Sequence, residues 1–181
     1  MYGYGMQMMM VYSSPRTQGN STTLAKAFAQ AGQSTYTINE VYLQNEELQS
    51  CRACKWCKTH FRCLLEDGMN ALCASFKESE AICFATPVYW WGVSAQLKLF
   101  IDRLYQLRME DFQGKELYVI ACGEDTLDGV QYRLIREQFE QICEYTGMKF
   151  AGYLPVCAGD DNPVSETENA LHQARTLITK A

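Results

Sequence analysis

Along this chain, short apolar runs of strand character alternate with longer stretches in which apolar residues recur every three or four positions. Gln7–Tyr12 reads as a first strand that stops at the turn residues Ser13-Ser14-Pro15. Leu24, Ala27, Phe28 and Ala31 then repeat at helical spacing, which predicts a helix over Asn20–Gln33. Tyr36–Leu43 is a second strand. Asp67 is placed to cap a helix carrying Met69, Leu72, Cys73 and Phe76. Ala81–Ala85 is wholly apolar, as a buried parallel strand requires. From Val93 onward, Leu97, Phe100, Ile101, Leu104 and Tyr105 fall on one helical face. Leu117–Cys122 is a further strand, Leu134–Tyr145 a helix, Met148–Val156 a last strand and Glu166–Thr179 a closing helix. Five strands alternating with five helices predict an open, doubly wound α/β domain with a parallel sheet covered on both faces. Ligands of such sheets bind beyond the carboxyl ends of the strands, so chemistry is expected in the loops after the first, third and fourth strands.

Composition narrows the setting. The 181 residues suit one domain, residues 1–181, without repeats or low-complexity linkers. A net charge of −5 and the absence of a basic block speak against a nucleic-acid partner. The apolar stretch Met6–Tyr12 is far too short to span a membrane and lacks the basic flank of a signal peptide. Nine cysteines, an odd number, in such a chain point to a reducing, cytoplasmic setting. Cys73, Cys83, Cys122, Cys143 and Cys157 lie in apolar patterns and read as small core residues.

Three segments carry candidate chemistry. After the first strand, Ser13-Ser14-Pro15-Arg16-Thr17-Gln18-Gly19-Asn20-Ser21 joins hydroxyls, a guanidinium and a helix N-terminus in one turn. Free N–H groups and the helix dipole there favour an anion. No Gly-x-x-x-x-Gly-Lys or Gly-x-Gly-x-x-Gly occurs at this turn, so a single phosphate is the natural guest, and an ordinary capped turn the plain alternative. After the third strand, Thr86-Pro87-Val88-Tyr89-Trp90-Trp91-Gly92 offers three large aromatics as a wall for a flat ring or as a subunit contact. Between these lies a cysteine-rich loop, residues 51–63, with Cys51, Cys54, Cys57 and Cys63 in thirteen positions. Thiols packed so densely are metal ligands or redox groups. The spacing leaves an iron–sulfur cluster, zinc and free thiols open; His60 keeps zinc in view, although a lone His in a polar segment is usually solvated. A phosphate turn beside an aromatic wall suits a phosphorylated planar redox ring, flavin mononucleotide (FMN).

The Ser13–Ser21 turn resembles the Gly-Ser-Pro-Arg-x-x-Gly-Asn-Thr phosphate turn of flavodoxin-like NAD(P)H-dependent FMN reductases, with Ser13 in place of the first Gly. Pro87–Arg103 is similar to that family's Pro-Val-Tyr-x-x-x-x-Ser-Ala-x-Leu-Lys-x-Phe-Ile-Asp-Arg block, and the cysteine run followed by Asp67 and Met69 to its iron–sulfur flavoprotein branch. Gly68 replaces the second Asp of that branch's Asp-Asp-Met triplet, and the segment after strand four, Ala121-Cys122-Gly123-Glu124, is poorer in Gly and Thr than in many relatives. The resemblance implies a five-stranded parallel sheet of order 2-1-3-4-5. It implies that Ser14, Arg16, Asn20 and Ser21 hold the FMN phosphate and that Pro87, Val88, Tyr89, Trp90 and Gly92 line the ribityl chain and ring. In the iron–sulfur branch, Cys51, Cys54, Cys57 and Cys63 would ligate a [4Fe–4S] cluster. The implied activity is an FMN-dependent oxidoreductase passing electrons from NAD(P)H or a protein donor to a small acceptor such as a quinone or flavin. No catalytic side chain is assigned, because the flavin supplies the chemistry. The alternatives are an electron-transfer module between cluster and FMN and, behind it, a zinc-stabilised interaction protein. A homodimer or homotetramer is implied as well.

Overall fold

Met8, Met10 and Tyr12 turn to one side of the first strand and Met9 and Val11 to the other, and all five are buried. A strand apolar on both faces has to be roofed twice, which places it inside a parallel sheet with helices above and below. In the computed structural model, which describes residues 5–178, this strand is β1 (Met6–Tyr12). It pairs in parallel with β2 (Tyr36–Tyr42) on one side and β3 (Ala81–Pro87) on the other. The sheet continues through β4 (Glu116–Gly123) to β5 (Lys149–Cys157), giving the order β2-β1-β3-β4-β5. This is the doubly wound order implied by the resemblance.

The roof is divided in the same way. On one face, α1 (Asn20–Gly32) and α6 (Glu168–Leu177) bury Leu24, Phe28, Ala174 and Leu177 against Met8, Met10, Ala85 and Ile120. On the other, α3 (Met69–Glu78), α4 (Ala95–Arg103) and α5 (Val130–Thr146) cover Met9, Val11, Phe84 and Val119. A short helix, α2 (Cys57–His60), lies inside the cysteine segment and was not predicted. Helix α5 starts earlier than its apolar period suggested. Its buried stripe is Tyr132, Ile135, Phe139 and Cys143, while Leu134 is exposed. A single turn of 3-10 helix precedes α6, and Thr179, the expected end of the closing helix, lies outside the described residues.

The long segment between β2 and α3 is fixed to the body by a buried ion pair. Arg103, at the end of α4, donates to both carboxylate oxygens of Asp67 at 2.8 and 3.0 Å and to the Gln49 carbonyl at 2.6 Å. Asp67 in turn accepts from the Gln49 and Met69 N–H groups at 3.0 and 3.1 Å; it braces the start of α3 from one position before the N-cap, which is Gly68 and not Asp67 as expected. Both side chains are almost fully buried, at 1% and 4% exposure. Burial works against ionisation of Asp67. The Arg103 hydrogen bonds and the two backbone donors outweigh it, and the carboxyl titrates below its ordinary range.

Arg103→Met should therefore lower the free energy of unfolding by about 3–5 kcal/mol at neutral pH, since it strands a buried carboxylate. Because the folded-state value of Asp67 is depressed, the contribution of the pair is complete above the ordinary carboxylate range and is lost as pH falls through the folded-state value. Urea denaturation of both proteins should show the gap narrowing in acid; equal midpoints at neutral pH would refute the clamp.

Candidate functional site

The strand order reverses beside β1, because the chain passes to β2 on one side and then to β3 on the other. The loops leaving the carboxyl ends of β1 and β3 consequently diverge and open a crevice. Buried hydroxyls set the relation between these two loops. Ser13 donates from N and Oγ to the Ala85 carbonyl at 3.0 and 2.8 Å. Ser94 Oγ donates to the Ser13 carbonyl at 2.8 Å and accepts from Leu97 N at 3.2 Å, which makes it the cap of α4. Ser94 N donates to Thr86 Oγ1 at 3.0 Å. Ser13, standing where the resemblance expects a glycine, is thus a structural tie.

The turn after β1 leads into α1 without a side-chain cap, so the first N–H groups of that helix remain open to an anion. Ser14 Oγ accepts from Arg16 N at 3.0 Å. Gly19 is closely approached here: a Cβ would lie 3.1 Å from Arg16 Cβ and 3.3 Å from Ser14 Oγ. A cavity of about 230 Å³ opens at this point. Ser14, Arg16, Gly19, Asn20 and Ser21 line one side, Pro87, Val88, Tyr89 and Cys122–Glu124 another, and Ala158–Asp160 a third. Arg16 reaches Asp160 at 3.0 Å, an exposed ion pair. The Asn20 amide is engaged with the Gly159 carbonyl at 3.3 Å and with Val164 N at 3.1 Å, tying α1 to the loop after β5.

A second cavity of about 640 Å³ adjoins the first and shares Val88, Tyr89, Gly123 and Glu124 with it. Its further walls are Trp90, Trp91, Asp125 and Gln131. The two loops meet closely: Val88 N donates to the Cys122 carbonyl at 2.8 Å, and a Cβ on Gly123 would lie 2.9 Å from Val88 Cβ. Gly92 is not crowded in this way, since a Cβ would meet only the Tyr89 carbonyl at 3.9 Å. It instead closes a two-residue hairpin with Tyr89, through N–H···O bonds of 3.0 and 3.1 Å in both directions. The central pair, Trp90 and Trp91, has φ of 47° and 62°. Both positions suit Asn or Gly, and each bulky side chain there costs about 1–2 kcal/mol. The indoles stand out from the surface, Trp90 at 92% exposure, with ring centroids 6.1 Å apart and planes at 50°.

The cysteine loop lies apart from both cavities; among the described residues, none of Cys51, Cys54, Cys57 and Cys63 lines either. Cys51 and Cys54 are exposed, Cys57 and Cys63 half-buried, and no group of three or more His, Cys, Asp or Glu among the described residues is arranged to hold a metal ion. The loop is nevertheless unusual. Ala53, Lys55 and Phe61 have φ between 52° and 59°, and Ala53 N donates to Cys51 Sγ at 3.4 Å. The Cys63 amide is held by Asn70 Oδ1 and Gln106 Oε1, while Arg103 Nε and Gln106 Nε2 are buried without a hydrogen-bond partner. His60 stacks on Trp56 at 3.4 Å. Of the thiols expected in the core, Cys73, Cys83, Cys122 and Cys143 are buried, and burial pushes Cys73, Cys122 and Cys143 up to about 12. Cys157 departs from that reading: it is half-buried, with its thiol 3.5 Å from the Glu124 carbonyl.

The turn after β1 and the aromatic loop after β3 were singled out from sequence, and the structure brings them together. Missed were Ala158, Gly159 and Asp160 after β5, and Glu124, Asp125 and Gln131 around the start of α5. The signal for the former was the small-residue and turn-residue run 157–163 at a strand's carboxyl end.

The architecture and this divided crevice define a flavodoxin-like domain with an uncapped helix N-terminus facing an aromatic wall. The chain belongs to the NADPH-dependent FMN reductase family, whose model matches residues 6–148, and it is an oxidoreductase enzyme. It is similar, at 30% identity over 97% of its length and 98% of the relative, to YwqN of Bacillus subtilis strain 168, provisionally named an NAD(P)H-dependent FMN-containing oxidoreductase. An iron–sulfur flavoprotein of Methanocaldococcus jannaschii is 36% identical over 97% of this chain and 84% of its own. The solved structure of the Trp repressor binding protein from Bacillus subtilis superposes with a TM-score of 0.73, at 26% identity, covering 97% of this chain and 99% of that one.

Two changes test the geometry. Ser94→Ala removes a helix cap and a loop tie and should cost about 1–2 kcal/mol in denaturant unfolding. The double change Trp90→Asn with Trp91→Gly should raise stability by about 1–3 kcal/mol in the same assay, and a destabilised product would refute the strained turn.

Proposed function

We propose that the protein is an FMN-dependent oxidoreductase that takes electrons from NAD(P)H and passes them to a small acceptor such as a quinone or flavin. The observation that carries this reading is the continuity of the two cavities. The smaller one begins at an uncapped helix N-terminus beside Arg16, and the larger one ends between aromatic side chains. When bound, FMN supplies the redox chemistry; the chain supplies binding, orientation and exclusion of water. The open N–H groups of α1, with Ser14, Ser21 and Arg16, would hold the phosphate, and Asn20 would keep the loop after β5 closed over it. Pro87, Val88, Tyr89, Trp90 and Gly92 would line the ribityl chain and the ring. No helix among the described residues is long and apolar enough to cross a membrane. A cytoplasmic homodimer or homotetramer fits the reading, and the exposed Trp90 and Trp91 support a contact between copies at this mouth.

A second reading, an electron-transfer module, is favoured by one observation: Arg103 Nε and Gln106 Nε2 are buried without a hydrogen-bond partner, and the Cys63 thiol faces Arg103. As the loop stands, its sulfurs do not gather into a metal-holding group, so no step is assigned to a cluster.

Protein purified without oxygen should show flavin bands, or acquire them on adding FMN, and should oxidise NAD(P)H with an added quinone. Arg16→Ala should weaken FMN binding about tenfold, a modest loss because the guanidinium is exposed. A wild-type protein that cannot be loaded with FMN would overturn the proposal. Iron assay of the same sample decides the second reading: about four irons per chain supports it, and none after anaerobic reconstitution dismisses it.

A further inference from the structure

Charge is spread unevenly over this chain. It carries 16 Lys and Arg against 21 Asp and Glu, yet residues 51–65 hold Arg52, Lys55, Lys58 and Arg62 and no acid. Among the described residues none of these four forms an ion pair, whereas nine of the eleven other cations do. The polar partners they have are neutral: Arg52 donates to Gln49 Oε1 at 3.0 Å and Lys58 to the Tyr105 carbonyl at 2.8 Å. Like charges gathered in this way repel one another, so folding gains nothing from them. The same face exposes apolar groups. Trp56, Phe61 and Leu64 stand out from the segment, and Tyr105 and Met109 from the turns that follow α4. Two cation–ring contacts join the parts: Lys58 Nζ lies 3.6 Å from the centre of the Tyr105 ring, and the Arg108 guanidinium 5.7 Å from that of Phe61.

An anionic partner answers such a face, and its side chains decide which kind. Single-stranded nucleic acid stacks its bases on bare rings. Here one face of each ring is already occupied: His60 stacks on Trp56 at 3.4 Å, and Lys58 and Arg108 lie over Tyr105 and Phe61. A contact with another protein is depleted of Lys at its core, and half of these cations are Lys. Long basic side chains that stay with headgroups, while rings and aliphatic tips such as Leu64 and Met109 enter the acyl boundary, are the pattern of a membrane-surface element. We propose that this basic, aromatic face docks the protein on an anionic lipid surface, with the four cations against the headgroups and Trp56 and Phe61 in the interface. The attachment is peripheral and reversible, since no helix among the described residues is long and apolar enough to span. Salt screens the acidic remainder of the chain beyond about 8 Å, so the local charge of this face governs the approach. A docked enzyme meets a lipid-soluble acceptor where it resides. That consequence rests on the quinone reading above; the docking itself does not.

The test is flotation of the purified full chain, with FMN added, on vesicles of phosphatidylcholine alone or with about one third phosphatidylglycerol. The protein should float with the anionic vesicles at about 0.05 M salt, stay behind with the neutral ones, and be released at about 0.5 M. Each Lys or Arg near an anionic surface adds about fivefold to binding, so Arg52→Gln/Lys55→Gln should weaken it about 25-fold. Both side chains are exposed, so the variant keeps its fold. Brominated lipid should quench tryptophan emission in wild type and not in Trp56→Phe, because the other two indoles, Trp90 and Trp91, line the larger cavity. Quenching that persists in Trp56→Phe would put the contact at that second aromatic cluster and overturn the inference. Equal binding to both kinds of vesicle would overturn it too, as would binding to oligouridine or polyglutamate with none to anionic vesicles. A wild type that takes up FMN and oxidises NAD(P)H but never floats would overturn the docking alone. One that floats but cannot be loaded with FMN would overturn only the functional reading.

Discussion

The geometry of the crevice depends on where two strands are allowed to end relative to each other. Ser13 and Ser94 lie between the ends of β1 and β3, buried: Ser13 donates to Ala85 and accepts from Ser94, while Ser94 donates across to Ser13 and accepts from Leu97 of its own helix. Such bonds add modestly to stability, but a lost partner in a dry place is costly, so their arrangement is effectively all-or-none. The turn after β1 and the aromatic loop are for this reason one unit. A shift of α4 would be felt at the Ser13 carbonyl and from there at Arg16.

The Asp67–Arg103 pair plays the corresponding role for the other face. It grips both polar groups of the Gln49 backbone and so fixes where the cysteine segment leaves the body. Beyond that point the segment is held at Cys63 and by Lys58, which donates to the Tyr105 carbonyl and lies 3.6 Å from the centre of the Tyr105 ring. The half of the loop carrying Cys51 and Cys54 is exposed and contains left-handed residues that are not glycine. The segment is therefore held at both ends, at Gln49 and at Cys63, with strained non-glycine residues between them.

The helix layers were legible because the apolar runs of β1 and β3 need a roof on both faces, and the motif block supplied the strand order. The Ser13–Ser21 turn was legible because its residue types are those an open helix N-terminus needs. Leu134 misled the boundary of α5, because an apolar residue on an exposed face carries no periodic information. Gln131 and Asp160 were invisible for another reason: a polar residue in a loop acquires meaning only from what lies across the crevice, and that is set by the sheet. The placement of the four cysteines was likewise beyond spacing, which shows that sulfurs can approach and not that they do.

The Trp90–Trp91 hairpin inverts the usual relation between backbone preference and usefulness. The residues its dihedral angles favour, Asn and Gly, would strip the ring surface from the mouth of the larger cavity. A redesign guided by thermal tolerance or by turn statistics would change this position early and score the result as an improvement. Engineering of this scaffold should treat those two positions as fixed, and read any gain in robustness there as a warning about the cavity.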